Sequence, residues 1–573
     1  MVQAKIKHKL LELFSEDGER LYRYWCQRLA ATGAIGNVTD RLPEKLNTMV
    51  VYPGTFGDFH GLIRVLPRLR DLGVNQIHIL PFYEATGDDG FEVVNRTLAV
   101  PLRVADEWGG ISMFKKLVKR AKNLKMSLMA DAVLNHISSH SPVLKQVGLK
   151  KLTRSWLKNK IPFKFLRLES GAAGGVEAIY RFNGRKVRRI VIFPEQADPK
   201  QPHLVLIGRR LVWHTFYPNQ LDLDLNQPEA FKLAMNTILQ IADLLEGRGT
   251  IRLDAIPFVG KVINREKFEF ISGTREKPLI VLLRLMLAVK APQMTMIAEA
   301  ARPLTKMSQY VKLVGGNYDF LSFPRFIAAI ASENAARLID AVNLSIQTIG
   351  LNVLENLAFT VQTHDDIPLA ELGSFDLSRE VWVSLKKLGA LPFGTKEANS
   401  IPKGAVIRLM DVCGGNPDKL AVAFFLAAMM PHRRLLWLYG TEVGLCGSPE
   451  NYQADSVLAK AVGRKSDARS FIRQPLAVKD YLKKLDGAAA GKIGAILKLR
   501  LNQLPDKFDS WSAAVVGSVV KIAFSGRKNK QKISGQAMVN LHLPYNYEIK
   551  NNNFGNQRRD RGGKSAGADA AVN

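Results

Sequence analysis

Short apolar segments recur along the chain at long intervals, rich in β-branched and aromatic residues and separated by helical patterns. Candidate strands are 47–53 (NTMVVYP), 75–82 (NQIHILPF), 125–136 (KMSLMADAVLNH) and 249–256 (GTIRLDAI). They continue with 293–300 (QMTMIAEA), 318–324 (YDFLSFP), 357–365 (LAFTVQTHD) and 433–440 (RRLLWLYG). Near-continuous apolar runs of this kind suit parallel strands covered on both faces. Helical patterns lie between them, as at 60–73 and 109–125. Eight strands alternating with helices predict an α/β fold, a closed (β/α)8 TIM barrel rather than an open sheet.

The spacing breaks once on a large scale. Residues 137–229, Lys- and Arg-rich and partly β-patterned (RKVRRIVIF, HLVLIGRRLVW), form an insertion after the third strand. Such an insertion should fold as a lobe over the barrel's C-terminal face. The barrel then takes 45–136 and 230–489, preceded by an N-terminal helical segment, 1–44, that opens with an amphipathic pattern. Short-strand patterns (SAAVVGSVVKIAF, QAMVNLHL) place a small antiparallel β domain at 490–550. The composition of 551–573, with RRDRGGK, predicts a disordered basic tail.

Composition narrows the class. A chain of 573 residues, 47% hydrophobic, can bury a large core. Its three cysteines, Cys26, Cys413 and Cys446, draw neither a disulfide framework nor a C-x-x-C metal pair, which fits a reducing cytoplasm. No cleavable apolar leader and no apolar span of about 18 residues is present, so a membrane span is not expected. Net charge is the unusual quantity: 81 Lys plus Arg against 52 Asp plus Glu, a formal +29. That surplus would favour anionic partners, whether nucleic acid, membrane headgroups or phosphorylated metabolites, but a solvated basic surface is the plainer reading and a nucleic-acid partner is not expected.

Barrels of this kind hold their chemistry at the carboxyl ends of the strands. Here four strand ends carry acids or histidines: Asp131 to His136, Arg252 with Asp254, Glu299, and His364 with Asp365. Any one strand-terminal Asp could simply cap the next helix; four on one rim point to catalysis. Cleaving a glycosidic bond with retention needs a carboxylate nucleophile and a second carboxyl group acting as acid and then base, about 5 Å apart. Arg252 stands two residues before Asp254, on the same strand face, and should keep that carboxylate ionised and aimed. His78, inside an apolar strand, is expected to be a satisfied core histidine, and Asp131 and Asn135 to be scaffold.

In order and spacing, DAVLNH, GTIRLDA, MIAEA and QTHDD resemble the four signature regions of glycoside hydrolase family 13, the α-amylase family. IHILPFYEATGDDGFEVVN, MADAVLNHISSHS, VWHTFYPNQLDLDLNQPE and IRLDAI resemble more narrowly its sucrose phosphorylase subfamily, which includes relatives acting on glucosylglycerate and phosphorylated sucrose. The resemblance covers roughly residues 45 to 480. It implies Asp254 as nucleophile, Glu299 as general acid/base and Asp365 as transition-state stabiliser. It further implies that His136 and His364 bind the glucosyl hydroxyls and that Arg252 orients Asp254. Asp88 would grip the far hydroxyls beside an apolar wall, Phe91, with Arg469 paired to that acid. No cofactor and no metal are expected, since the DLDLN run at 222–226 lacks the Gly and distant Glu of a calcium loop.

The sequence departs from the subfamily on the acceptor side. RKVRRIVIFPEQ stands where phosphorylases carry an RPR-like segment, Ala300 and Ala301 follow the acid/base, and the family's HDG reads His364-Asp365-Asp366. HRRLL (432–436) replaces the usual Gly-Ile-Pro before the last strand. Three functions follow. The first is a phosphorylase passing glucosyl from sucrose or a related α-glucoside to phosphate. The second is an α-glucosidase or transglucosylase using water or a sugar hydroxyl. The third is an inactive family-13-like protein binding an anionic partner. The sequence leaves the oligomeric state open.

Overall fold

The computed structural model describes the chain except for Met1, residues 31–44, Asp88, residues 159–163, 171–175, Asn183, residues 193–199, 265–268, 272–274, 395–400, 462–465 and 554–573. The eight candidate strands close into one parallel barrel: β1 (Leu46–Val51), β2 (Gln76–Ile79), β3 (Ser127–Val133), β4 (Arg248–Asp254), β5 (Gln293–Ala298), β6 (Asn317–Tyr318), β7 (Leu357–Thr360) and β8 (Arg434–Leu438). Closure comes from β8 pairing with β1, Leu46 opposite Arg434 and Val50 opposite Leu438. The order is sequential throughout, as strand–helix–strand crossovers require. The fold is therefore the TIM barrel that the alternation predicts.

Strand registers put a polar ladder inside the barrel. Thr48 Oγ1 donates to Gln76 Oε1 at 3.0 Å, Gln76 Nε2 to Thr250 Oγ1 at 3.2 Å, and the Thr250 and Thr295 hydroxyls lie 2.9 Å apart. One level up, Arg252 on β4 stands opposite Asp131 on β3. Alternation along β4 places residues 250, 252 and 254 on the inner face, so the ladder leads straight to the catalytic rim. His78 is fully buried with Nε2 2.6 Å from Asp131 Oδ2, a satisfied core histidine.

Two expected elements differ. The segment 318–324 is strand only at Asn317–Tyr318, and a helix starts at Ser322. Asp319 causes the change: its Oδ1 accepts the N–H groups of Leu321 at 3.1 Å and Ser322 at 3.0 Å, and that turns the chain out of the sheet. The N-terminal amphipathic run splits into helices Val2–Phe14 and Glu16–Ala30 at Ser15, whose φ is 50°. Gly18 allows the close return: a Cβ there would stand 2.5 Å from the Leu10 carbonyl oxygen.

Between β3 and β4 the chain builds a β-rich lobe. Strands Ser155–Leu157, Arg210–Trp213 and Leu204–Ile207 make one antiparallel sheet, and Lys164–Ser170, Val176–Phe182 and Arg185–Val191 another. Tyr180, Phe182, Leu204, Leu211 and Trp213 belong to a small core of their own. The lobe is anchored where His136–Ser138 pairs with Gln220–Asp222. Residues 488–503, assigned from sequence largely to the β domain, are instead a helix, Ala488–Gln503. Buried Arg500 holds it to the barrel floor, donating to Leu46 O at 3.2 Å, Asn47 Oδ1 at 2.9 Å and His432 O at 2.7 Å. The four-stranded antiparallel sheet begins after it: β9 (Lys507–Val516), β10 (Val519–Lys528), β11 (Gln531–Asn540) and β12 (Asn546–Asn553).

Candidate active site

The ends of β4, β5 and β7 bring Asp254, Glu299 and Asp365 to one cavity of about 550 Å³. Arg252 organises the first two. Its Nη1 donates to Asp254 Oδ1 at 3.1 Å and also contacts Asp131, while Nη2 pairs with Glu299 Oε1. Ala255 turns the chain just after Asp254 with a left-handed φ of 45°, and its N–H donates to Glu299 Oε2 at 3.1 Å. Strain at one non-glycine residue thus accompanies an acid held by two fixed donors.

Burial, followed by the negative charge and hydrogen bonding of Glu299, pushes the Asp254 carboxyl well above its ordinary range. This corrects the expectation that Arg252 keeps it low: the guanidinium is shared among three carboxylates, and its pull does not offset burial and Glu299. Asp131 differs. Although burial raises it, Arg252 and His78 outweigh that and hold it below its ordinary range.

Asp365 sits beside two guanidinium groups and an imidazole. Arg469 Nη1 lies 2.7 Å from Asp365 Oδ1, Arg473 Nη2 3.2 Å from the same atom, and His364 Nε2 3.2 Å from Oδ2. Burial opposes its ionisation, but His364, Arg469 and Arg473 together drive the carboxyl far below the usual range. It is therefore a permanent negative charge, as a stabiliser of a cationic transition state must be.

Phe91 and the two histidines line the same cavity. Phe91 stacks on His364 at 5.8 Å between ring centroids and 10° between planes. The Arg252 guanidinium lies 5.8 Å from the Phe91 ring centroid. His136 Nε2 is 3.0 Å from the Phe91 carbonyl, which can only accept, so Nε2 carries the proton and Nδ1 is left as an acceptor without a partner. Burial lowers His136 to about 4 and His364 to about 3, so both are neutral near pH 7 and can bond hydroxyl groups.

The α-amylase catalytic-domain model matches residues 35–163. Among curated proteins, a glucosylglycerate phosphorylase from Allomeiothermus silvanus is 25% identical over 422 residues, spanning 70% of this chain and 68% of that one. A sucrose phosphorylase from Bifidobacterium adolescentis is 23% identical over 346 residues, spanning 58% and 60%. Over these stretches the chain is similar to the α-amylase family and to phosphorylases within it. Among solved structures, sucrose 6F-phosphate phosphorylase from Thermoanaerobacter thermosaccharolyticum aligns over 90% of this chain and 98% of its own, with a TM-score of 0.65. At 15% identity that likeness is one of fold. No helix among the described residues is long and apolar enough to cross a membrane.

Several residues of the site went unread in the sequence. Asp88 lies outside the described residues; its neighbour Asp89 lines the cavity, with Oδ2 3.8 Å from Arg469 Nη2. GDDG offers two adjacent acids, and the sequence does not distinguish them. Arg469 answers chiefly to other partners. Besides Asp365 it binds Asp467, Nη2 to Oδ2 at 2.7 Å, and Tyr217 Oη at 2.9 Å. Arg473, the second arginine of RSFIR, was as visible as Arg469 yet was passed over. Asp222 of DLDLN is engaged by the protein: Thr215 Oγ1 donates to it at 2.7 Å, and Lys261 and Arg154 each approach to 3.3 Å. Among the described residues, no group of three or more His, Cys, Asp or Glu is placed to hold a metal ion.

Proposed function

We propose that this enzyme transfers single α-glucosyl units by double displacement, with Asp254 as nucleophile, Glu299 as acid/base and Asp365 as stabiliser, and that phosphate is the acceptor. The observation that carries the reading is the Arg252 guanidinium, which holds buried Asp254 and half-buried Glu299 together beside the permanently charged Asp365. Glu299 gives its proton to the glycosidic oxygen as the bond from that oxygen to C1 breaks, and Asp254 Oδ bonds C1. The acceptor oxygen then attacks C1, the Asp254–C1 bond breaks, and any proton the acceptor loses passes to Glu299. His136, His364, Phe91 and Asp89 enclose the glucosyl unit, and Arg469 closes the far wall through Asp365, Asp467 and Asp89.

Phosphate as acceptor rests on two observations. Curated relatives spanning most of the chain are phosphorylases, and Arg302 and Lys403 line the cavity without an ion-pair partner within 4 Å among the described residues. Cations lining a cavity raise the local concentration of a dianion. Sucrose and glucosylglycerate are the donors the relatives suggest. Ala300, Ala301 and the extra acid Asp366 favour a second reading, transfer to water or a sugar hydroxyl by the same intermediate. A panel of α-glucosides incubated with and without phosphate decides between them. Phosphate-dependent release of α-glucose 1-phosphate, lost in Asp254→Asn, is expected. Equal cleavage without phosphate would reject the phosphorylase reading, and activity retained in Asp254→Asn would reject the nucleophile.

A further inference from the structure

Asp366 stands outside the three-carboxylate machinery, yet its side chain lines the same cavity. The following residues fix it. Ile367 pairs with Ala405 and Pro368 with Gly404 in a three-stranded antiparallel sheet, so the acid is carried on a sheet edge rather than a loose loop. It presses on Gly404: an ideal Cβ there would stand 1.7 Å from Asp366 Oδ2, 2.5 Å from Cγ and 2.8 Å from Cβ. Only a glycine at 404 lets the carboxylate occupy this place.

The half-buried carboxylate also receives no donor from another described residue and faces the cavity. Among the described residues its side chain makes no hydrogen bond to another residue and no ion pair within 4 Å, although a carboxylate has room for about four donors. Lys403 and Arg469 act on it only from farther off, and burial with Asp365 pushes the group up to about 6. Holding an acid unpartnered beside the fixed charge of Asp365 is unfavourable unless a donor arrives from the cavity. A bare phosphate would bring negative charge to it; a hydroxyl group brings a donor.

We propose that Asp366 is a specificity-determining residue that accepts a hydrogen bond from a hydroxyl of the aglycone or acceptor other than the one that reacts, and so selects polyhydroxylated partners. This rests on the glucosyl-transfer reading above. The test uses α-glucosyl fluoride as donor, so that every acceptor meets the same intermediate: fluoride leaves C1 as Asp254 bonds it. Glycerol and methanol then compete. In each case an acceptor oxygen attacks C1, the Asp254–C1 bond breaks and Glu299 takes the proton, but only glycerol has further hydroxyls. Effects of a substitution on Asp254 or Asp365 cancel in the ratio of glucosyl glycerol to methyl glucoside.

Wild type is expected to favour glycerol over methanol at equal concentration. Asp366→Ala is expected to cut that ratio about tenfold or more, the effect of losing one charge-assisted hydrogen bond, with Asp366→Asn between the two. A ratio unchanged in both variants, or no preference for glycerol in wild type, overturns the role of Asp366. Failure of wild type to consume α-glucosyl fluoride overturns the transfer reading and this role with it. If Asp366→Ala misfolds, seen as loss of fluoride consumption and of far-ultraviolet circular dichroism, Asp366→Asn and Asp366→Gly carry the comparison.

Discussion

Arg252→Met removes the cation shared by two buried carboxylates, Asp131 and Asp254, and half-buried Glu299 while keeping side-chain volume close to its own. In the wild type the guanidinium contacts Asp131, Asp254 and Glu299 and is 1% exposed. Asp131 retains His78, but Asp254 keeps no other cation in hydrogen-bond contact. Breaking a buried pair by deleting one partner costs about 3–5 kcal/mol, because the other charge stays buried. The deficit should depend on pH. A stranded carboxylate escapes by taking up a proton, so the variant's native state binds one proton more than the wild-type native state, while the two unfolded chains titrate alike. Its stability relative to wild type then falls as pH rises, by about 1.4 kcal/mol per unit. Lowering pH from 7.5 to 5.5 should therefore recover about 2.7 kcal/mol of the loss. Urea unfolding at the two pH values, followed by tryptophan fluorescence, measures both numbers. A loss under about 1 kcal/mol at pH 7.5, or one equal at both pH values, would refute Arg252 as the charge anchor of the site.

Three further outcomes follow from the same geometry. Glu299→Gln should lose about 10²–10⁴-fold in kcat on α-glucosides whose leaving group needs a proton, yet still accept α-glucosyl fluoride. Intact-protein mass spectrometry should then find a trapped glucosyl adduct, and equal loss on both donors would remove Glu299 from the acid role. His136, His203 and His364 are buried and lowered to about 4, 3 and 3, against about 6.5 unfolded. The unfolded chain therefore takes up protons first, and stability present above pH 6.5 is lost on acidification, about 2 kcal/mol per histidine by pH 5. A denaturation midpoint flat from pH 7 to 5, or unaltered in slope by His203→Gln, would contradict this. Gly404→Ala drives a methyl into the Asp366 side chain and should cost about 1–3 kcal/mol in thermal stability. Asp366→Gly should restore the loss, and a failure to restore it would place the clash elsewhere.

The sequence alone determined the barrel and its rim. Eight apolar strand patterns in alternation with helices have few other ways to cover both faces, so the architecture was legible before any coordinate. Strand-end residues are fixed in direction by the pleat, and for that reason Arg252, Asp254, Glu299 and Asp365 could be placed on one cavity. Tertiary structure decided what periodicity does not encode. Asp89, next to the expected Asp88, lines the cavity, a placement that residue type alone does not give. Arg473 and Asp467 complete the grip on Arg469 and Asp365 from a segment about 100 residues away along the chain. The protonation of Asp254 reversed the expectation for the same reason: proximity to Arg252 is local and readable, whereas the burial and the Glu299 carboxyl that outweigh it exist only once distant strands meet.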